Sequence, residues 1–441
     1  MNVRHDITIF LGILLLAACT RVFFLSYIPQ VVFDEVHFGK FISAYCCTHQ
    51  RFFDIHPPVG KLLIAAGAYL SGYNGLFPFE YIGQPFVNVP IDGVRMVPAL
   101  FGTLLAGIIY ILLRLMNVSK LFSVLGGIAI ALDNALIVES RFILMDNILL
   151  VMTFGCIAAG IAAVKTRAHS LQSLFFVILA GILAGAAMGT KFTGMIAGGL
   201  VVLLFLAYAY HEGPKKYLQW GIRCLVLACS ALIIYLGAWA IHFSLLTLPG
   251  SGDVWGIPTG NFVPDLISLH QEMISANYNL TATHPYGSKW WTWPFMIRPV
   301  FYWQGNTGNQ FIYLLGNPAV WWGGFVFFCI ALLALIASII KKQYKHSSNI
   351  VWIMIIGYLW AYVPLMRVPR VLFLYHYLTP LIFSLIIALW WLDRTVKLKR
   401  QFVAIAALCI IAGFIYISPL TYGYPISSFW QTLLFSIQSW R

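Results

Sequence analysis

Long apolar runs separated by short polar connections make up most of this chain. Eleven of these runs reach or approach the roughly 20 residues that carry a helix across the hydrocarbon core of a bilayer. They lie at about 7–29, 93–114, 120–138, 146–164, 171–189, 192–210, 220–241, 319–340, 350–366, 370–391 and 402–420. No barrel-like alternation of apolar and polar positions runs through them. Backbone groups in lipid must find partners within their own segment, so helices are expected. The expected fold class is all-α integral membrane, one polytopic domain over residues 1–441. The first run follows Arg4 without a convincing small-residue cleavage site and is read as a retained span.

Two connections are too long to be turns: residues 30–92 and residues 243–318. Long ordered loops usually carry function. In the first, Phe33, Val36, Phe38, Phe41, Ile42 and Tyr45 recur at helical spacing, which predicts a short interfacial helix. Pro57 and Pro58 suit the start of a second helix over Val59–Leu70, with His56 at its entrance. Asp34 and His37 share a face of the first helix. The second connection is rich in Trp, Pro, Gly and Asn, and too short for an added soluble domain. There is no 20–50-residue repeat, and no inverted hydropathy repeat of the transporter kind.

Charge sharpens this picture. Hydrophobic residues make up 61% of the chain and charged ones 9%, against about 25% charged in soluble domains. The formal net charge of +13 would point to nucleic acid in a soluble protein. Here the basic residues gather in every second connection: Arg114 and Lys120; Lys165 and Arg167; Lys215, Lys216 and Arg223; Lys341, Lys342 and Lys345; Arg394, Lys397, Lys399 and Arg400. That is the positive-inside pattern. No basic tract interleaved with aromatics stands in a polar segment, so nucleic acid is excluded as a partner. The two long loops then share the outer side of the membrane. Of the eight cysteines, only Cys46 and Cys47 lie in a polar-flanked loop. Adjacent cysteines rarely pair, so no disulfide framework is expected and both are expected as external thiols.

The candidate chemistry begins at Asp34-Glu35. Adjacent side chains on a helix point about 100° apart, so one carboxylate can face a reaction centre while a cation holds the other. The same pair also suits a helix N-terminus. Arg95, Arg141, Lys191, Arg298, Arg367 and Arg370 lie near the outer face and break the charge rule. Such a cluster suits a phosphate held at the membrane surface, or structural pairing with Asp133, Glu139 and Asp146. The external histidines, among them His37, His56 and His376, show no metal-ligand spacing, so no metal site is expected. His376 stands beside Arg370 in Tyr375-His376-Tyr377, fit for a phosphate or proton-sharing role or simply for interfacial packing. Trp290, Trp291, Trp293, Tyr302, Trp303, Trp321 and Trp322 form either an aromatic belt or the wall of a sugar or acceptor groove.

Several of these stretches occur in an order that resembles the protein O-mannosyltransferases, multi-span lipid-donor glycosyltransferases of the C-type (GT-C) fold. They are Phe33-Asp34-Glu35-Val36-His37-Phe38-Gly39, Asp54-Ile55-His56-Pro57-Pro58-Val59-Gly60-Lys61, and Arg95-Met96-Val97-Pro98-Ala99-Leu100-Phe101-Gly102. Leu132-Asp133, Glu139-Ser140-Arg141, His242-Phe243, Ser251-Gly252-Asp253, His284-Pro285-Tyr286, Trp293-Pro294, Gly316-Asn317-Pro318 and Tyr375-His376-Tyr377 follow. The resemblance implies inverting transfer of mannose from a polyprenyl-phosphate-mannose donor to Ser or Thr hydroxyls, with Asp34 as base and Arg95 on the carrier phosphate. Glu35 is expected in the catalytic pair, orienting a cation. Lys191, Arg370, Tyr375 and His376 are candidates beside the phosphate, and His37, His56, Pro57, Trp293 and Asp253 for the substrate groove. No metal or other cofactor is expected.

The expected partners are the lipid-linked sugar, surrounding membrane lipid, a Ser/Thr-containing exported polypeptide and a protein translocation channel. The resemblance also implies a soluble domain in the large external loop of eukaryotic members. This loop has no room for one, so a bacterial member is expected, in the inner (plasma) membrane with its site facing the periplasm or exterior. A lipid- or glycan-modifying transferase like the aminoarabinose transferases is the alternative within the fold. A transporter is a third reading, opposed by the scarcity of mid-span charges.

Overall fold

The computed structural model describes residues 3–167, 170–279, 283–341 and 349–440. The long apolar runs are helices. In chain order the helices that position the site are α1 (Val3–Arg21), α2 (Glu35–Ser43), α3 (Val59–Leu70), α4 (Ile91–Leu115), α5 (Lys120–Ala131), α6 (Asn134–Arg141) and α7 (Asp146–Lys165). They are followed by α8 (Leu171–Met188), α9 (Met195–Glu212), α10 (Tyr217–Leu245), α11 (Phe262–Asn279), α12 (Pro318–Ile340), α13 (Asn349–Tyr362), α14 (Leu378–Thr395) and α15 (Lys399–Tyr422). Among the described residues, ten helices are long and apolar enough to cross a membrane, or eleven if α5 and α6 count as one span. Lys342 and Lys345 lie outside the described residues.

The expected span over 120–138 is corrected. It is two helices bent by 51°. Asp133 causes the break by capping α6, accepting from the Leu136 amide at 3.0 Å. The same carboxylate accepts from the Asn317 amide at 3.1 Å and the Trp321 indole at 2.9 Å. Asn317 in turn caps α12, with Pro318 at its first position, where a missing N–H costs nothing. One buried aspartate thus ties three elements together. Arg21 closes the C-terminal carbonyls of α5, donating to Ala131 at 2.8 Å and Ile130 at 2.7 Å. Arg141 does the same just beyond α1, donating to the carbonyls of Arg21, Phe23 and Phe24. It is a helix-end tie of the kind expected of cations at C-termini, not part of a phosphate cluster.

The first long loop folds as its periodicity suggests. It forms α2, a π turn over Ala44–Thr48, and α3 with the expected bounds. Cys46 and Cys47 are bonded to each other, which corrects the expectation of two free external thiols. The π turn brings the neighbouring side chains together.

The second loop carries α11 and an antiparallel hairpin, β1 (Val300–Gln304) with β2 (Phe311–Leu314). Gly252 meets the first loop so closely that a Cβ there would stand 2.5 Å from the Phe52 carbonyl carbon. Arg51 and Asp253 pin the same seam, with Arg51 Nε donating to Asp253 Oδ1 at 2.6 Å.

Candidate active site

Asp34 stands on the turn that enters α2. Phe33, just before it, takes the left-handed conformation at φ +47°, an uncommon state for a bulky side chain. Tyr302 of β1 holds it there. The Phe33 amide donates to the Tyr302 carbonyl at 3.1 Å, and the two rings stack with centroids 4.0 Å apart. The Tyr302 hydroxyl donates to Glu139 of α6. The turn is therefore braced from the second loop and from the bundle.

Of the two acidic neighbours, Glu35 is the one a cation holds, and that cation is Arg95. Glu35 is fully buried. It accepts from Arg95 Nε at 2.8 Å, Arg95 Nη2 at 2.8 Å, the Val32 amide at 2.9 Å and the Ile143 amide at 3.0 Å. Arg95 gives its remaining donors to the carbonyls of Leu25, Ile28 and Gln30. All five guanidinium N–H groups are spent on protein acceptors. This corrects two expectations: Arg95 has no donor left for a phosphate, and Glu35 is a positioning residue rather than a catalytic one.

Asp34 differs in every respect. Its side chain makes no capping hydrogen bond to α2, so the helix-cap alternative fails. It has no hydrogen-bond or ion-pair partner among the described residues. Burial pushes its pKa up to about 7, against the pull of Lys191 and with a further push from Asp146 and Asp54.

The other charges around it are mostly paired. Lys191, in the sharp connection between α8 and α9, donates to both oxygens of Asp146 at 2.9 and 2.8 Å. Its ammonium lies 5.6 Å from the centre of the Tyr375 ring. Asp54 pairs with the buried Lys61, which also donates to the His56 carbonyl at 2.6 Å. Burial, then the charges of Lys191, Lys61 and Arg370, hold the His56 imidazole well below its ordinary pKa, so it is neutral at pH 7. Asp54, His56, Pro58, Lys61, Trp239 and His242 line a narrow cleft between the first loop and α10.

Arg370 differs from Lys191 and Lys61. It is half-buried and has no hydrogen-bond or ion-pair partner among the described residues, and its Nε is buried without an acceptor. Burial lowers its pKa, opposed by Tyr375 and Asp54. Tyr375 lies within electrostatic range of both Asp34 and Arg370. His376 fixes Nδ1 to the Phe373 backbone and stacks between Tyr375, at 4.6 Å, and Trp293, at 6.0 Å.

The expected groove residues fare unequally. Trp293 is fully buried with its indole N–H on Ser288 at 2.9 Å, so it backs His376 instead of walling a groove. Asp253 is spent on Arg51 and the Gly250 amide, a clamp between loops rather than a substrate contact. Pro57 is buried in the turn before α3, and His37 is exposed on α2. Asp146 was expected as a structural partner of the outer cations and is one, to Lys191. Glu139, expected in the same role, instead accepts from Tyr302, expected as a belt or groove aromatic. Asp54 and Lys61 complete the site without having been singled out for it. The Asp54–Lys61 pair left only a chemical signal, two charges seven residues apart at the entrance of α3. Among the described residues no group of three or more His, Cys, Asp or Glu side chains stands where it could hold a metal ion.

Comparison with known proteins places the chain in a family. The family model for dolichyl-phosphate-mannose-protein mannosyltransferase matches residues 12–247, and that for the C-terminal four-transmembrane region of protein-O-mannosyltransferase matches residues 262–440. Protein O-mannosyltransferase 1 of Drosophila melanogaster is 38% identical over 264 residues, 57% of this chain and 29% of that protein. Dolichyl-phosphate-mannose–protein mannosyltransferase 6 of Saccharomyces cerevisiae is 34% identical over 233 residues, 51% of this chain and 30% of its own. The matched stretch thus spans less than a third of either relative.

In fold, the chain is similar to the S. cerevisiae protein O-mannosyltransferase Pmt1-Pmt2 complex bound to the sugar donor. The TM-score is 0.92 at 20% identity, covering 99% of this chain and 93% of that one. ArnT from Cupriavidus metallidurans bound to undecaprenyl phosphate shares the architecture more loosely, with a TM-score of 0.53 at 15% identity over 98% of this chain and 76% of that one. A GT-C bundle with an uncommitted aspartate beside its first span, matched along most of its length by these two models, belongs to the protein O-mannosyltransferase family.

Proposed function

We propose that this chain transfers mannose from polyprenyl-phosphate mannose to Ser or Thr hydroxyls of polypeptides, with inversion at the anomeric carbon. One observation carries the reading. Of the carboxylates gathered at the site, Glu35, Asp54, Asp146 and Glu139 are each held by a protein donor, and Asp34 is not.

An acceptor hydroxyl needs a base as its oxygen attacks, and a base works best with a pKa near the operating pH. Asp34 takes that proton. The acceptor oxygen bonds to the anomeric carbon as the bond to the carrier phosphate breaks, and the phosphate leaves with the electron pair. A single displacement inverts the centre. The departing phosphate is already an anion and needs positive charge rather than an acid. Arg370 supplies it with unspent donors, and Lys191, held by Asp146, supplies a second charge. Tyr375 and neutral His56 line the approach between base and cation. Glu35 and Arg95 hold the Asp34 turn and touch no substrate. No metal or other cofactor enters this scheme.

The acceptor is presented on the side of the membrane opposite the basic connections, as an extended segment of an exported polypeptide emerging from a translocation channel. The compact second loop supports a bacterial-type member working at the plasma membrane, although the relatives named above are animal and fungal. The test is mass spectrometry of exported proteins from cells with and without the enzyme. Hexose on Ser or Thr that disappears with Asp34→Asn supports the reading. Hexose lost only from a lipid or envelope glycan replaces it with a lipid- or glycan-modifying transferase.

A further inference from the structure

At the end of the bundle away from Asp34, the N-terminal ends of α8 and α10 diverge and leave an open groove of about 540 Å³. Its polar lining is basic, with Ser173, Lys215, Lys216, Gln219 and Arg223. Its walls are apolar, and several side chains are strongly exposed: Leu171 at 86%, Leu218 at 78% and Ile222 at 53%. Arg223 is held in place by donating to Ser173 Oγ at 3.0 Å and by lying 4.4 Å over the Trp220 ring. Glu212, the nearby acid, accepts from the Trp220 indole at 2.9 Å. Three cations against one carboxylate leave the groove positive. The Gln219 side chain lines the same groove, and its amide nitrogen has no acceptor among the described residues. An amide donor without a partner is stabilised when something accepts from it.

We propose that this groove binds the headgroup of an anionic glycerophospholipid from the adjoining leaflet, a role separate from the transfer reaction. The lipid phosphate accepts from the Gln219 amide and Arg223, Lys215 and Lys216 flank it, and the acyl chains run along Leu174, Val177 and Ile222. Basic pockets between spans at the cytoplasmic end of a bundle suit such headgroups. A soluble phosphate would satisfy the cations but leave the apolar walls bare. The polyprenyl phosphate of the sugar donor is excluded by position. α8 has 18 residues, so at 1.5 Å per residue its two ends stand about 27 Å apart, and Lys191 of the transfer site lies just past the far end.

The test is native mass spectrometry of the purified full chain titrated with phosphatidylglycerol, phosphatidylcholine, polyprenyl phosphate or inorganic phosphate. The proposal expects one phosphatidylglycerol held about 10–30-fold more tightly than phosphatidylcholine, at roughly 1 kcal/mol for each of the two lysines near the surface. Lys215→Glu with Lys216→Glu, on two surface side chains, should reduce phosphatidylglycerol to the phosphatidylcholine level. Gln219→Leu, which keeps the bulk and removes the amide, should weaken it several-fold in a folded protein. Equal retention of the two phospholipids overturns the proposal, as does unchanged binding in both variants. Preferential displacement by polyprenyl phosphate would make the groove a carrier site, and displacement by inorganic phosphate would make it an anion site without a lipid. Either result also overturns it.

Discussion

Glu35 accepts four hydrogen bonds inside a fully buried clamp, while the carboxylate one residue before it accepts none. The clamp around Arg95 is closed on all sides by loop carbonyls and two backbone amides. The region around Asp34, Arg370 and Tyr375 holds a carboxyl group and a guanidinium without hydrogen-bond or ion-pair partners among the described residues. The first region uses its charges to build the fold. The second leaves its charges unspent, which the proposed function assigns to acceptor and donor. A buried ion pair is weak evidence for stability, but removing one partner leaves an uncompensated charge at high cost. An unpaired buried carboxylate costs stability while it waits.

That contrast can be broken at either end. The largest effect is expected at Asp34. Asp34→Asn should lower turnover about 10²–10⁴-fold and at the same time make the protein more stable. The Asp34 pKa rises from 3.8 to about 7 on folding, so between those values the folded state holds the extra proton and stability falls as pH rises. The gain from Asn is therefore largest above pH 7, up to about 4 kcal/mol, and vanishes near pH 4. Thermal unfolding at pH 4 and pH 8 beside a transfer assay checks both halves. A variant that loses stability at pH 8 would show Asp34 to be a structural residue.

The clamp should respond in the opposite sense. Arg95→Ala or Glu35→Ala should cost about 3–5 kcal/mol of stability. Replacing both residues with apolar ones of similar volume should recover much of the loss. If Arg95→Ala folds normally and instead weakens use of the lipid donor, Arg95 belongs to the phosphate site after all.

Arg370→Ala should leave folding nearly intact and lower kcat/KM for the lipid donor about 10–100-fold, the worth of a charge-assisted hydrogen bond or two. Unchanged donor kinetics would remove it from the site. The smallest effect is expected outside both regions. A variant retaining only Cys46 and Cys47 should take up impermeant maleimide after reduction and not before, since the two are joined. Labelling without reductant would contradict that bond.

The elements were more legible in the sequence than the partners. Val59–Leu70 was readable because Pro57 and Pro58 mark its start and its apolar positions repeat at helical spacing. The adjacent acids announced two roles because helical geometry separates neighbouring side chains. Which cation would be spent and which left free was not readable. Arg95 is filled by carbonyls of Leu25, Ile28 and Gln30, about seventy residues away, and only the tertiary fold brings them together. The break at Asp133 was hidden for the same reason, since its capping role depends on Asn317 and Trp321 as much as on Leu136. The hairpin of β1 and β2 did leave a trace. Aromatic and β-branched residues flank Gly305-Asn306-Thr307-Gly308-Asn309, a turn signal between strand formers. The length and aromatic content of that loop drew attention to belts and grooves, and the strands went unread.

The central claim is that Asp34 takes the acceptor proton while Arg370 receives the departing phosphate. The most direct test is the pH dependence of kcat/KM for transfer of labelled mannose from polyprenyl-phosphate mannose to a Ser/Thr peptide by purified protein. The account predicts a rate that climbs about tenfold per pH unit below pH 7 and levels above it. The climb should be lost in Asp34→Asn and kept, at lower amplitude, in Arg370→Ala. A profile flat from pH 5 to 8 in the unsubstituted protein, or a climb that survives Asp34→Asn, would contradict it.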